Sequence, residues 1–136
     1  MKKSLVFATT LLVAIIFSSC APKMMFGVSP ITPLAEGFVK ITDNKNGNLS
    51  LSVKIFNLVQ PQRLTPAENV YVVWAKTDRG FAKNLGMIKV SKKLLSKTLK
   101  GSFKTIIIEK PYMVFITAED DGFVKYPGNI VVLRTE

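Results

Sequence analysis

The stretch Val70-Tyr71-Val72-Val73-Trp74-Ala75-Lys76 constrains this chain most. β-Branched and aromatic residues follow one another without a polar break, so neither face is prepared for water. Pro61, Pro66 and the polar Ala67-Glu68-Asn69 precede it, and Thr77-Asp78-Arg79-Gly80 ends it, which marks a strand bounded by turn signals. The stretch predicts a central strand. Its tryptophan, the only one in the chain, is expected to supply a large share of a small core.

The rest of the chain supplies partners for such a strand. Leu49, Leu51, Val53 and Ile55 alternate with Ser50, Ser52 and Lys54, the clearest period of two in the sequence. Residues 37–42 precede them across the turn-forming 43–48, so the two runs read as a hairpin. Alternation breaks at Phe56-Asn57-Leu58, where a bulge or a change of partner is expected. Residues 59–69 are long enough to carry the chain from one sheet to another. Residues 84–90 read as a strand with Leu85, Met87 or Ile88, and Val90 turned inward. Residues 91–101 fit either a ragged helical face through Leu94, Leu95 and Leu99 or, preferably, a loop entering a strand over 96–103. Residues 105–109, 112–118 and 129–135 are further β-rich runs, and 112–118 is as apolar as the central strand. The expected fold is all-β, an immunoglobulin-like antiparallel β-sandwich of about seven strands over residues 36–136.

The N-terminus has a different character. Lys2 and Lys3 precede an apolar stretch over 5–17, then Ser18, Ser19 and Cys20. The stretch is shorter than the roughly 20 residues a spanning helix needs, so it reads as a secretory signal peptide over 1–19 rather than a membrane anchor. Phe17-Ser18-Ser19-Cys20 resembles a bacterial lipobox, although that pattern prefers leucine at the place of Phe17. The resemblance implies cleavage before Cys20 and acylation of its thiol, palmitate included. Cys20 is the only cysteine, so no internal disulfide competes for it. Ala21 rather than aspartate follows, which by resemblance to enterobacterial sorting implies the outer membrane of a Gram-negative envelope. Residues 20–35, rich in proline, are expected to be a tether. Met24, Met25 and Phe26 either pack on the domain or enter the lipid interface, and the sequence leaves both open.

Nineteen Lys and Arg stand against nine Asp and Glu, a net charge of +10, and only Lys2 and Lys3 leave with the signal segment. This excess favours anionic lipid or glycan as partners, while export argues against nucleic acid. Lys89, Lys92, Lys93, Lys97, Lys100 and Lys104 form a run without an intervening acid. The run reads first as a solvated face guarding an edge strand, since lysine is the usual edge guard, and second as a docking face for an anionic surface.

Catalysis finds little support. The chain has no histidine, no cysteine pair, no nucleophile elbow and no phosphate-binding loop, so no catalytic residue, cofactor or metal site is assigned. Glu119-Asp120-Asp121-Gly122 invites a calcium reading, but its spacing departs from an EF-hand loop, and an acidic turn with Gly122 at positive φ is preferred. Residues 43–48 raise the same thought and meet the same answer. Tyr71, Phe81, Tyr112, Phe123 and Tyr126 are candidate sugar-stacking rings, with Phe123 and Tyr126 expected to be the most exposed.

Tyr71-Val72-Val73-Trp74, Asn84-Leu85-Gly86, Val114-Phe115-Ile116-Thr117-Ala118-Glu119, Pro127-Gly128 and the Val-rich terminal strand are together similar to the extracytoplasmic domain of anti-sigma-K factors. The similarity spans residues 37–135 and implies a small β-sandwich in an envelope setting. The zinc-binding His/Cys set, the sigma-binding region and the spanning helix of that family are not legible in this sequence, so sigma-factor sequestration is not implied. The functional expectation is a lipid-anchored, non-enzymatic module. Its leading role is binding an envelope protein through a sheet edge or loop end, and its second is electrostatic binding of anionic lipid or polysaccharide.

Overall fold

A computed structural model describes residues 21–92 and 95–136. The strands are β1 (Lys23–Met25), β2 (Glu36–Asp43), β3 (Leu49–Leu58), β4 (Val70–Lys76), β5 (Lys83–Met87), β6 (Lys89–Lys92), β7 (Leu99–Ile107), β8 (Met113–Glu119) and β9 (Val131–Arg134). They form two antiparallel sheets, ordered β1-β2-β3-β7-β6 and β5-β4-β8-β9, stacked as a β-sandwich with no α-helix among the described residues. β4 lies between β5 and β8, and Tyr71 through Ala75 are all buried, as continuous apolar character requires. β8 is the second strand of this kind, buried from Val114 to Glu119.

The main core lies between the sheets. Val39, Leu51, Val53 and Ile55 face Tyr71, Val73, Val114, Ile116 and Leu133. Trp74 is fully buried but lies elsewhere, because alternation along β4 turns Val73 inward and sends Val72 and Trp74 to the outer side. There the indole stacks on Phe115 with ring centroids 6.2 Å apart and planes 13° from parallel, under Val124 and Ala82. The expectation that the tryptophan fills the core therefore holds for burial and not for place.

Two segments belong to both sheets and close the sides of the sandwich. Phe26, just beyond β1, bridges Thr135, and the Gly27 N–H donates to the Arg134 carbonyl at 2.9 Å. On the opposite side the run 84–90 is not one strand. It leaves the first of its sheets after Met87 and joins the other at Lys89, with buried Ile88 at the crossing and its N–H donated to the Tyr71 carbonyl at 2.9 Å. The shift reverses the inside–outside assignment, so Ile88 is core while Met87 and Val90 are exposed.

Other expectations change for equally local reasons. Among the described residues there are nine strands rather than about seven. The expected tether is structured from Lys23 onward: Met24 and Phe26 pack on the core, Ser29 and Thr32 are buried, and the Ser29 hydroxyl accepts the Thr32 N–H at 2.9 Å. Residues 99–107 form one strand, merging two expected runs. The break after Ile55 is a register shift with Asn57 at φ 57°. Gly122 needs space rather than positive φ, because a Cβ there would run into the Met87 side chain.

Candidate anion-binding face

The outer face of the five-stranded sheet follows from register. Val39, Val53 and Gly101 point inward, so the residues between them point out, and cross-strand partners share a face. One row across the sheet reads Lys23, Lys40, Ser52, Lys104. The next reads Met25, Phe38, Lys54, Ser102, Lys89. Beyond it lie Glu36, Phe56, Lys100 and Ser91. Neighbouring strands are about 4.8 Å apart, so these ammonium groups share one patch. Glu36 is the only strand acid with the outward parity of this face.

Ser52, Lys54, Lys89, Ser102 and Lys104 border a depression of about 400 Å³ that Val53, Met87 and Phe103 also line. Hydroxyls and ammonium groups are all hydrogen-bond donors, and ammonium adds charge without geometric demand, which suits a phosphate-type anion. Aromatic rings of neighbouring strands lie beside these cations. The Lys23 ammonium lies 4.4 Å from the Phe38 ring centroid and that of Lys100 lies 5.7 Å from Phe56.

The linear run divides in three dimensions. Lys89, Lys100 and Lys104 belong to the face. Lys92 sits opposite Leu99, with the inward parity, and is exposed at the rim. Lys97 is exposed on a bend outside any strand. Lys93 and Cys20 lie outside the described residues. Lys89 and Lys92 are on edge strand β6, where lysine suits the role of an edge guard, whereas Lys40, Lys54 and Lys100 stand on strands flanked on both sides, where guarding has no object. Lys23, Lys40 and Lys54 were missed because they lie far away in sequence; the outward positions of the alternating strands were the available signal.

The other candidates separate clearly. The Glu119 carboxylate is buried and committed: it accepts from the Thr117 hydroxyl and from the Gly128 N–H at 2.7 Å. Asp121 caps its own turn by accepting the Phe123 N–H at 3.0 Å. The three carboxylates thus do not converge. Of the candidate rings, Tyr71 is buried and its hydroxyl donates to the Val59 carbonyl at 2.7 Å, while Phe81, Tyr112, Phe123 and Tyr126 are exposed. Asn84 steadies the loop carrying Phe123 by donating to the carbonyls of Gly122 and Val124. No protein-family model, curated protein or solved structure matches the chain.

Proposed function

We propose that this protein is a lipid-anchored, non-enzymatic module of the bacterial envelope whose lysine face docks on a phosphate-bearing anionic surface. The observation that carries the reading is the clustering of Lys54, Lys89 and Lys104 with Ser52 and Ser102 around one depression, within a sheet face almost devoid of acid. Each of these lysines stands opposite a serine, with Lys54 and Lys89 diagonal to Lys104, and an anion held between the rows offsets the repulsion along those diagonals.

Chain connectivity adds support. Only Ala21 and Pro22 separate Cys20 from Lys23, so a chain anchored at Cys20 starts β1 within about 10 Å of its lipid. That distance is close to the Debye length of about 8 Å at physiological salt, within which the charge of an anionic leaflet acts.

The test uses the full lipidated protein in phosphatidylcholine vesicles, with and without phosphatidylglycerol, footprinted by an amine-reactive reagent. Shielding of Lys40, Lys54, Lys89, Lys100 and Lys104 in the anionic vesicles, reversed by salt, is the expected result. Shielding that appears in neutral vesicles only after a soluble phosphorylated polysaccharide is added would assign the surface to polymer. Equal reactivity under all conditions would sink the reading.

A further inference from the structure

β7 is covered unevenly. β3 pairs with it from Leu99 to Ile107, but on its other side β6 reaches only Ser102, because the chain turns away at Ile88 into the opposite sheet. Residues 103–107 therefore present an open sheet edge. Natural open edges are blunted by charge, proline, bulges or shortness. This one reads Phe103-Lys104-Thr105-Ile106-Ile107, followed by Ile108, with a single lysine. Ile106 is 51% exposed and Ile108 83%.

Beside that edge lies a cavity of about 530 Å³ between β7 and β5, bordered by Ala75, Leu85, Thr105 and Ile107 and by the charged Arg79, Lys83 and Glu109, of which Arg79 and Glu109 pair at 2.9 Å. A strand added to β7 would send its inward side chains into this space, where apolar groups fit against Ala75, Leu85 and Ile107. Its outward side chains would lie beside Lys104 and near Lys89, where carboxylates fit. A second copy of the chain suits the edge poorly. Antiparallel self-pairing centred on Thr105 sets the two copies' Lys104 side chains at diagonal positions, and without Lys2 and Lys3 each copy keeps 17 Lys and Arg against nine acids, a net charge of +8.

We propose that the open edge of β7 over residues 103–107 receives an extended strand of a partner protein in which apolar and acidic residues alternate. Main-chain hydrogen bonds supply affinity, and the cavity and Lys104 set the pattern. The edge shares Lys89 and Lys104 with the lysine face, and neutral detergent separates strand binding from lipid docking.

The test is amide hydrogen exchange on the full lipidated protein in neutral detergent micelles, with two synthetic peptides. One is acetyl-Thr-Val-Glu-Val-Glu-Val-Thr-amide, and the other has the same composition with its three valines and two glutamates in separate blocks. The alternating peptide is expected to slow exchange across residues 103–107, and the block peptide is not. Lys104→Glu, with exchange elsewhere unchanged, is expected to weaken the alternating peptide about tenfold. Equal effects of the two peptides, or protection confined to other strands, would overturn the proposal. Protection that rises with protein concentration in the absence of peptide would also overturn it, giving the edge to a second copy.

Discussion

Lys23 and Lys40 stand directly opposite each other across β1 and β2, and the row they share continues through Ser52 to Lys104 without an acid. Directly opposed like charges destabilise a sheet pair by roughly 0.2–1 kcal/mol. Lys40→Glu should therefore raise stability by a few tenths of a kcal/mol, read by urea unfolding. The same change should reduce shielding of the remaining lysines on anionic vesicles. A loss of stability would mean that Lys40 is held by contacts other than its neighbours' charge.

The depression and the rim make different predictions. Reversing Lys54, Lys89 and Lys104 together removes the cations that border it, whereas reversing Lys92 and Lys97 changes net charge without touching it. Salt dependence of binding follows the number of ion contacts, so the first variant should show a flatter salt response and the second should retain most of the original slope. Vesicle footprints collected over a salt series separate the two. Equal losses would reduce the face to a diffuse charge effect.

On the other sheet, the Trp74 indole donates to the Thr117 hydroxyl at 2.8 Å, and that hydroxyl donates in turn to Glu119. Thr117→Val keeps the shape and removes both links, leaving a buried N–H and a buried carboxylate oxygen each short of a partner. The indole N–H is orphaned while the Glu119 oxygen keeps the Gly128 N–H, so the expected cost is about 1–3 kcal/mol. Thr117→Ser restores the hydroxyl and should recover most of the loss. Chemical denaturation followed by Trp74 fluorescence measures both variants.

What the sequence discloses follows from how far each signal reaches. The buried strands β4 and β8 and the alternating β3 are legible because their signal lies within one short segment. The irregularity at Phe56-Asn57-Leu58 is legible because alternation stops there. The split at Ile88 is not, because Met87 and Ile88 are both apolar and only the change of sheet decides which one faces the core. The lysine face is harder still. Its rows join residues as distant as Lys23 and Lys104, while the adjacent Lys92 and Lys97 fall off it. Sequence proximity therefore groups different lysines from those the register places on one face.

Tyr71 gives a pH dependence with a definite sign. Burial raises its phenol pKa above the ordinary tyrosine value. The fold holds the neutral form, so this contribution is complete below about pH 10, where the unfolded tyrosine is protonated too. Above that pH the unfolded chain loses the proton first, and stability falls by up to about 1.4 kcal/mol per pH unit until the folded phenol also titrates. Tyr71→Phe forfeits the hydrogen bond to the Val59 carbonyl, at about 1 kcal/mol near neutrality. Its stability should decline less steeply in alkali. Urea midpoints measured from pH 7 to 11 should show the two curves converging, and parallel curves would mean that Tyr71 does not drive the alkaline loss.

The proposed anchor and lysine face would act as two signals on one membrane. A single myristoyl-sized chain holds a protein only marginally, and stable attachment takes several chains or one chain with a basic patch. Intact mass of the purified protein should show a chain beginning at Cys20 with acyl groups added, and a mass retaining residues 1–19 would refute the lipobox reading. Cys20→Ser should move the protein out of the membrane pellet after a carbonate wash. Before that wash, at low salt, a fraction should stay bound through the lysine face, and reversal of Lys54, Lys89 and Lys104 in the Cys20→Ser background should release it. If the single variant resists carbonate, the apolar stretch over residues 5–17 remains in the bilayer as the anchor. If it is already fully soluble at low salt, the lysine face has no measurable hold on lipid, and its partner must be sought among phosphorylated polymers.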